Sequence, residues 1–495
     1  ASDSIRLALS KSITDKYNQT ISLPTYFNTT SDSYKVNYDD FIGDIGITLT
    51  NNADTITFGV ISVRDTLAAT NQYTPSASDE QKDRYFILPE NITYSVTENT
   101  GTTGKVGIMY VQGGNNSIID YQNTYSGFDV QAGAILDISN IQFRNAISNS
   151  KGGIINNSGI VGATTISGIN NSSFVNNSAI MGGAIYNIGT IYSIANTNFT
   201  ENIVTSSRES TYGGAIYNTG TIGRIENVTF TQNKAVSSQY AYGGAIYNTG
   251  NIEYISASFI GNYTVGTNVF GGAIYSSNNL KLIANNQDFM FKDNYTQSTS
   301  TGSIEDNAIY MSSYQSILTI EANNGGSWTL YDSINGARGY TVTLLSTEGR
   351  GTINLYNQIY NANVVTNNIN LNLSGDNSFT TYTFNSLSST LTNLSIDLSY
   401  SEKKSDIIKV ISDSTGKITI NELVGLDKSE IKDEIVKITV LDKNNSSSII
   451  LELSQELQDK YKGDIELNKY FDNTSNAYKI KSSDYIGTIG IKLND

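Results

Sequence analysis

Between Gly152 and Asn294 the apolar residues fall in short pulses, each broken by Gly, Asn, Ser or Thr. The hexapeptide Gly-Gly-Ala-Ile-Tyr-Asn stands at 182–187, 213–218 and 243–248; a fourth copy at 271–276 ends in Ser, and a degenerate GGIINN opens at Gly152. The first glycines of the four full copies are 31, 30 and 28 residues apart. A second element follows each: Gly189-Thr-Ile191 with Ile194, Gly220-Thr-Ile222 with Ile225, and Gly250-Asn-Ile252 with Ile255. A third is Phe-x-x-Asn, at Phe174/Asn177, Phe199/Asn202, Phe230/Asn233, Phe259/Asn262 and Phe291/Asn294; Phe143-Arg-Asn145 is one residue short of it. Each period thus holds three short strands, too few for a propeller blade, and too few helix formers for ankyrin or tetratricopeptide repeats. Three strands per coil, stacked coil on coil, predict an all-β chain folded as a right-handed parallel β-helix.

In such a stack, equivalent positions of successive coils lie about 4.8 Å apart. Ile185, Ile216, Ile246 and Ile274 are then expected as one inward column, and Phe174, Phe199, Phe230 and Phe259 as another. Asn177, Asn202, Asn233 and Asn262 are expected as a turn ladder, each amide bonding the next coil. Tyr186, Tyr217, Tyr247 and Tyr275 follow the inward Ile, so strand alternation places them outward as a surface aromatic ladder. Met181, Tyr212, Tyr242 and Phe270 precede Gly-Gly and form a candidate second stack. Outward tyrosines can serve as a platform for glycan or protein, or simply stack on one another and stiffen the coil; self-stacking is the plainer reading. The link from Phe-x-x-Asn to the next Gly-Gly varies, from SAIM to IVTSSREST and KAVSSQYA, which marks one loop-bearing corner.

Composition narrows the chemistry. The 495 residues include no Cys and no His, so thiol nucleophiles, disulfides, imidazole bases and zinc-thiolate sites are excluded. Only three Pro occur, as expected where ladder strands need every N–H. Polarity comes from Asn, Ser, Thr and Gly, with charged residues at 16%. A net charge of −15 repels phosphate, so nucleic acid is not an expected partner. No run of about 18 apolar residues is present, so no transmembrane segment is expected in this fragment. The opening ASDSIRLALS lacks a basic and then apolar leader, and reads as that of a mature product or a fragment.

GGAIYN with Phe-x-x-Asn, over Gly152 to Asn294, resembles the repeats of chlamydial-type polymorphic outer membrane proteins and, more broadly, the passenger domains of autotransporter adhesins. Tyr331-Asp-Ser-Ile-Asn-Gly336, followed by Gly351-Thr-Ile-Asn-Leu355, resembles the later coils of such passengers. The resemblance implies a β-helix displayed extracellularly or at the cell surface in association with an outer membrane. It is specific for fold and location and weak for ligand. The carboxy-terminal translocating barrel of that class has no counterpart here, since no run of about ten-residue amphipathic strands occurs.

The two ends of the chain match each other. Leu7–Leu49 aligns without a gap to Leu451–Leu493 at an offset of 444, with Asp15/Asp459, Tyr17/Tyr461, Phe27/Phe471, Gly43/Gly487 and Gly46/Gly490 among the identities. The expected organisation is a junction segment at 1–50, N-terminal coils at 51–150, the repeat β-helix at 151–300, C-terminal coils at 301–450, and a second junction at 451–495. LDKSEIKDEI and SQELQDKY are candidate helical caps. The partners expected are further copies of the chain end to end, either in one tandem polypeptide or by head-to-tail assembly, together with a glycan or surface-protein ligand.

A β-helix polysaccharide lyase or hydrolase is the enzymatic rival. It needs carboxylates converging at a set spacing. Glu201, Glu226 and Glu253 recur at intervals of 25 and 27, but each in a different context, so no catalytic residue is assigned. Neither the repeat-in-toxin nonapeptide nor a D-x-D-x-D-G loop occurs, and no metal or cofactor is expected. The expected function is a non-catalytic structural or adhesive module of a tandem-repeat filament or giant adhesin. The alternative is a single autotransporter-type adhesin passenger, with a polysaccharide-degrading enzyme third.

Overall fold

The computed structural model describes residues 66–72, 83–162, 168–375, 378–434, 436–443, 448–467 and 487–493, together with the strands Ile21–Ser22, Asp44–Leu49 and Thr55–Gly59. Parallel pairing runs from Arg84–Leu88, paired to Ile108–Asp120, as far as Thr415–Val424, paired to Ile450–Leu453. The strands of one wall are not neighbours in sequence but equivalents from successive coils, so the chain is a parallel β-solenoid. One nine-stranded wall contains all the Gly-Gly-Ala-Ile-Tyr-Asn strands, in register Ile155–Ile185–Ile216–Ile246–Ile274–Ile309–Ile334. A second, broad wall contains the Phe strands, and a third, six-stranded wall contains Ser178–Ala179, Ile203–Ser206, Lys234–Ser237, Tyr263–Gly266 and Tyr295–Ser298.

The core is a tube of columns. Every Ile of the nine-stranded register is buried, and the Ala before it lines the same interior at 184, 215, 245, 273 and 308. The second Gly of each pair leaves no room for a side chain: a Cβ on Gly214 would lie 2.0 Å from the Gly244 carbonyl oxygen and 2.5 Å from the Lys234 nitrogen. The first Gly takes a left-handed turn, as at Gly213 with φ 63°. Together they turn the chain sharply from the third wall into the first.

The two solenoid ends are built differently from the coils. The helix Leu67–Gln72 buries Leu67 beside the first strands. Asn71 donates its amide to the carbonyls of Thr100 (3.2 Å) and Gly101 (2.8 Å), and the buried Arg84 guanidinium donates to those of Asn71 (2.5 Å) and Gly104 (2.8 Å). Donors from a helix and an arginine thereby meet polar groups that a further coil would meet elsewhere. At the other end, the helix Gln455–Tyr461, capped by Ser454 and anchored by Leu457, leads into an antiparallel sheet of Val436–Thr439, Thr488–Leu493 and Ile465–Leu467. LDKSEIKDEI contributes only the short turn Lys428–Glu430.

One boundary is corrected. Thr55–Gly59, assigned from sequence to the first coils, pairs antiparallel with Asp44–Leu49 and completes the opening junction sheet. Its sequence alternates as any half-buried strand does, and nothing in that pattern separates parallel from antiparallel partners.

Candidate functional site

The Phe column is continuous. Phe143, Phe174, Phe199, Phe230, Phe259 and Phe291 are fully buried, with ring centroids 5.4, 4.9, 4.9, 4.8 and 4.8 Å apart and planes within 19°. The coil spacing sets that distance. Phe143 is in register with Phe174, and the short Phe143-Arg-Asn145 resolves simply: Asn145 matches Asn176, and Ala146 takes the place of Asn177.

The Asn ladder therefore begins at Asn177. The Asn177 amide donates to Asn202 Oδ1 at 3.0 Å, Asn202 to Asn233 at 2.9 Å, Asn233 to Asn262 at 2.9 Å and Asn262 to Asn294 at 2.9 Å. Each acceptor oxygen also takes the backbone N–H of the preceding rung, and each Nδ2 gives its other proton to a Phe carbonyl, as Asn233 does to Phe199 at 2.9 Å. Every amide is fully buried, and from Asn202 to Asn294 each makes all four of its hydrogen bonds, while Asn177 at the start accepts only from the Ala146 N–H. The ladder ends on a carboxylate. Asn294 donates both its backbone N–H (3.0 Å) and its amide (2.7 Å) to Asp332 Oδ2. Burial pushes the Asp332 carboxyl up to about 6, against the two bonds from Asn294, which favour the charged form.

A second ladder was missed from sequence. Asn157 donates to Asn187 at 2.7 Å, Asn187 to Asn218 at 2.7 Å, Asn218 to Asn248 at 2.8 Å and Asn248 to the Ser276 hydroxyl at 3.2 Å. Its signal was present: these are the residues that close each hexapeptide, and Ser replaces Asn at the rung where the column ends.

Tyr186, Tyr217, Tyr247 and Tyr275 stack in one file with centroid spacings of 4.7, 5.0 and 5.1 Å, continuing to Tyr310 at 6.0 Å. They face away from the core, but they are not open surface. Tyr186 is 6% exposed and the others are half-buried. The reason is a small parallel sheet, Thr211–Tyr212, Tyr240–Tyr242 and Asn268–Phe270, that folds over this face. It brings a second file, Tyr212, Tyr242 and Phe270, spaced 5.2 and 5.3 Å, edge-on against the first, with Tyr242 5.0 Å from Tyr275. Met181 precedes this file and adds no ring. Lys151 closes the first file, 4.5 Å from the Tyr186 ring centre, and donates to its hydroxyl at 3.0 Å. Rings stacked at the coil spacing cover one another's faces, so edges and hydroxyls are what they can offer. Burial, with neighbouring phenols behind it, raises Tyr247 well above its ordinary value and pushes Tyr242 up to about 12.

The loop-bearing corner beside these files is ordered by rungs of its own. Ser238 donates to the Ser207 carbonyl at 2.8 Å, Gln239 to Arg208 at 2.9 Å and Thr267 to Ser238 at 2.8 Å. Tyr240 (42% exposed) projects from it on the coil after the exposed Arg208 and Glu209, and Ile304 (61% exposed) stands at its far end, paired with Gln297. The carboxylates weighed for catalysis do not converge. Glu226 aligns with Ala195 and Ser256 and pairs with Arg224 at 3.3 Å, while Glu201 occupies a left-handed turn. The broad wall has a shallow polar depression lined by Asn116, Asn140, Asn171, Asn196 and Gln142. Among the described residues, no three acidic side chains are grouped as metal ligands would be.

Residues 227–249 match the model of the Chlamydia polymorphic membrane protein repeat. No curated protein matches the chain in sequence. Among solved structures the chain is similar to the crystal structure of the Haemophilus influenzae Hap adhesin, with 13% identity, 91% of this chain and 70% of that chain covered, and a TM-score of 0.25.

Proposed function

We propose that the chain is a non-catalytic adhesive passenger, displayed at the surface of a cell with an outer membrane, whose contact surface is the loop-bearing corner. The observation that carries the reading is the division of labour between walls. Buried ladders of Phe and Asn hold the coils in fixed register, while the one corner with variable length presents Arg208, Glu209, Tyr240 and Ile304 in an ordered ridge. The match of residues 227–249 to a surface-protein repeat supports the location. An exposed tyrosine and an exposed apolar residue fit a glycan or a protein surface.

The test pairs binding with turnover. Immobilised glycans and surface-protein extracts are probed with the chain and with a variant in which 203–211 and 234–241 are shortened to the length of Ser178–Met181. Retention of the parent, loss for the variant and intact glycans are expected. Oligosaccharide products that vanish on changing one carboxylate would sink the reading, as would equal binding by the short-loop variant.

A further inference from the structure

The two junction hairpins are the same device in two settings. In the opening copy Ile21 pairs with Leu49 and Ser22 with Thr48. In the closing copy Ile465 pairs with Leu493 and Glu466 with Lys492, each position shifted by the same 444 residues. The free edge of the longer strand is filled in both, by different chain segments. In the opening copy the following strand fills it: Ile47 pairs with Ile56 and Ile45 with Phe58. In the closing copy the end of the solenoid fills it: Ile491 pairs with Val436 and Ile489 with Ile438. Register and direction agree position for position, and apolar residues occupy matching places on the two rival strands.

Their surroundings differ. The closing hairpin is seated on the solenoid end. Ile465, Ile489 and Ile491 are buried with Val436, Ile438 and Val440, and the Gly487 carbonyl accepts from the N–H groups of Val440 (2.6 Å) and Leu441 (2.9 Å). The opening sheet pairs with no solenoid strand among the described residues. It carries the same sequence, Ile-Gly-Ile at 45–47 against 489–491.

We propose that the opening hairpin is a cap for the solenoid end of a second copy of this chain, with Val436–Thr439 of that copy replacing Thr55–Gly59 on the edge of Asp44–Leu49. The closing hairpin then acts as a built-in plug. It occupies the surface that a neighbour's opening hairpin fits, and the fraction of time it is undocked scales the apparent affinity between copies. Capping of one copy by the next is a heterologous contact that leaves each copy's other end free, so assembly is linear and head to tail.

The test unlatches the plug in the full chain. Ile489→Asp with Ile491→Asp puts charges where the closing hairpin is buried. In sedimentation velocity this variant is expected to shift from monomer to multimers. Adding Ile45→Asp, which strikes the equivalent position of the opening hairpin, is expected to restore the monomer. A monomeric unlatched variant with a native β-sheet circular dichroism spectrum would overturn the proposal, and so would multimers indifferent to Ile45→Asp. A second arm needs no destabilised protein. The chain has no cysteine, so Asp44→Cys with Thr439→Cys reports on one contact, the counterpart of the Thr488–Thr439 pair. Under mild oxidation at high concentration it is expected to give a ladder of linked chains, while Asp44→Cys with Lys437→Cys, two residues out of register, does not. Equal linking by both pairs, or linking by neither, counts against the proposal.

Discussion

The rung at Asp332 gives the sharpest prediction, because a buried carboxylate ends a ladder otherwise made of neutral amides. The perturbation is Asp332→Asn. The side chain is 3% exposed and its carboxyl is raised from 3.8 to about 6. That rise corresponds to about 3 kcal/mol between the protonated and ionised folded chain. Between pH 4 and 6 the folded chain holds a proton that the unfolded chain has released. Stability linked to this group therefore falls as pH rises through that window, and the full loss is present at pH 7. The amide oxygen of Asn can accept both bonds from Asn294 without carrying charge, with nearby Asp306 and Asp293 no longer opposing it. Asp332→Asn is expected to be more stable than the parent by up to about 3 kcal/mol at pH 7 and nearly equal to it at pH 4. The sole tryptophan, Trp328, is fully buried four residues away, so urea unfolding followed by its fluorescence reads these coils directly. Using the difference between the two proteins removes the titration of the other carboxylates. A pH-independent difference, or a less stable variant at neutral pH, would refute the reasoning.

Phe230→Ala should cost roughly 3–5 kcal/mol, since the ring is fully buried between Phe199 and Phe259. Tyr217→Ala should cost less, though not little, because its half-buried ring touches Tyr186, Tyr247 and Tyr212; equal urea midpoints would contradict the assigned inner and outer files. Asn233→Ala strands the amide and N–H of Asn202 and the carbonyl of Phe199, at about 1–3 kcal/mol for each group left unpaired. Hydrogen exchange at Asn202 should rise more than at Asn157, on the other ladder; uniform acceleration would mean that the rungs do not act locally.

The parallel solenoid was legible because its repeat is one coil: the spacing of Phe and Asn in sequence is the spacing of rungs in space. The exposure of Tyr247 was misread for a definite reason. Alternation along one strand says which side of its own wall a residue faces, but not whether another segment covers that side, as Tyr240–Tyr242 and its neighbours do. Asp332 was unreadable as a ladder residue because it breaks the motif in type and position, 38 residues after Asn294. The matched ends foretold equivalent strands, and the described parts of both pair alike; that different third strands complete them depends on contacts far apart in sequence.

Several terminations coincide, and they bear on where contacts with a partner can lie. The Phe column gives way to Leu330 after Phe291, and the Asn ladder ends on Asp332. The six-stranded wall is closed by Ile304–Asp306, which pairs antiparallel with Tyr295–Ser298. Just beyond these points the coil shortens, from a step of 31 residues between Ile185 and Ile216 to 22 between Thr341 and Asn363, before lengthening again to 33 between Ile408 and Leu441. The residues lost are those that build the third wall and its loops. A coil reduced to its core strands has no ordered corner to vary, so the contact surface proposed above falls within residues 178–306. Changes in loop length at 203–211 or 234–241 are absorbed at a corner whose rungs are polar and solvent-facing. The same insertion between Phe230 and Asn233 would move a buried amide off its rung, and with it the register of every coil that the ladder joins.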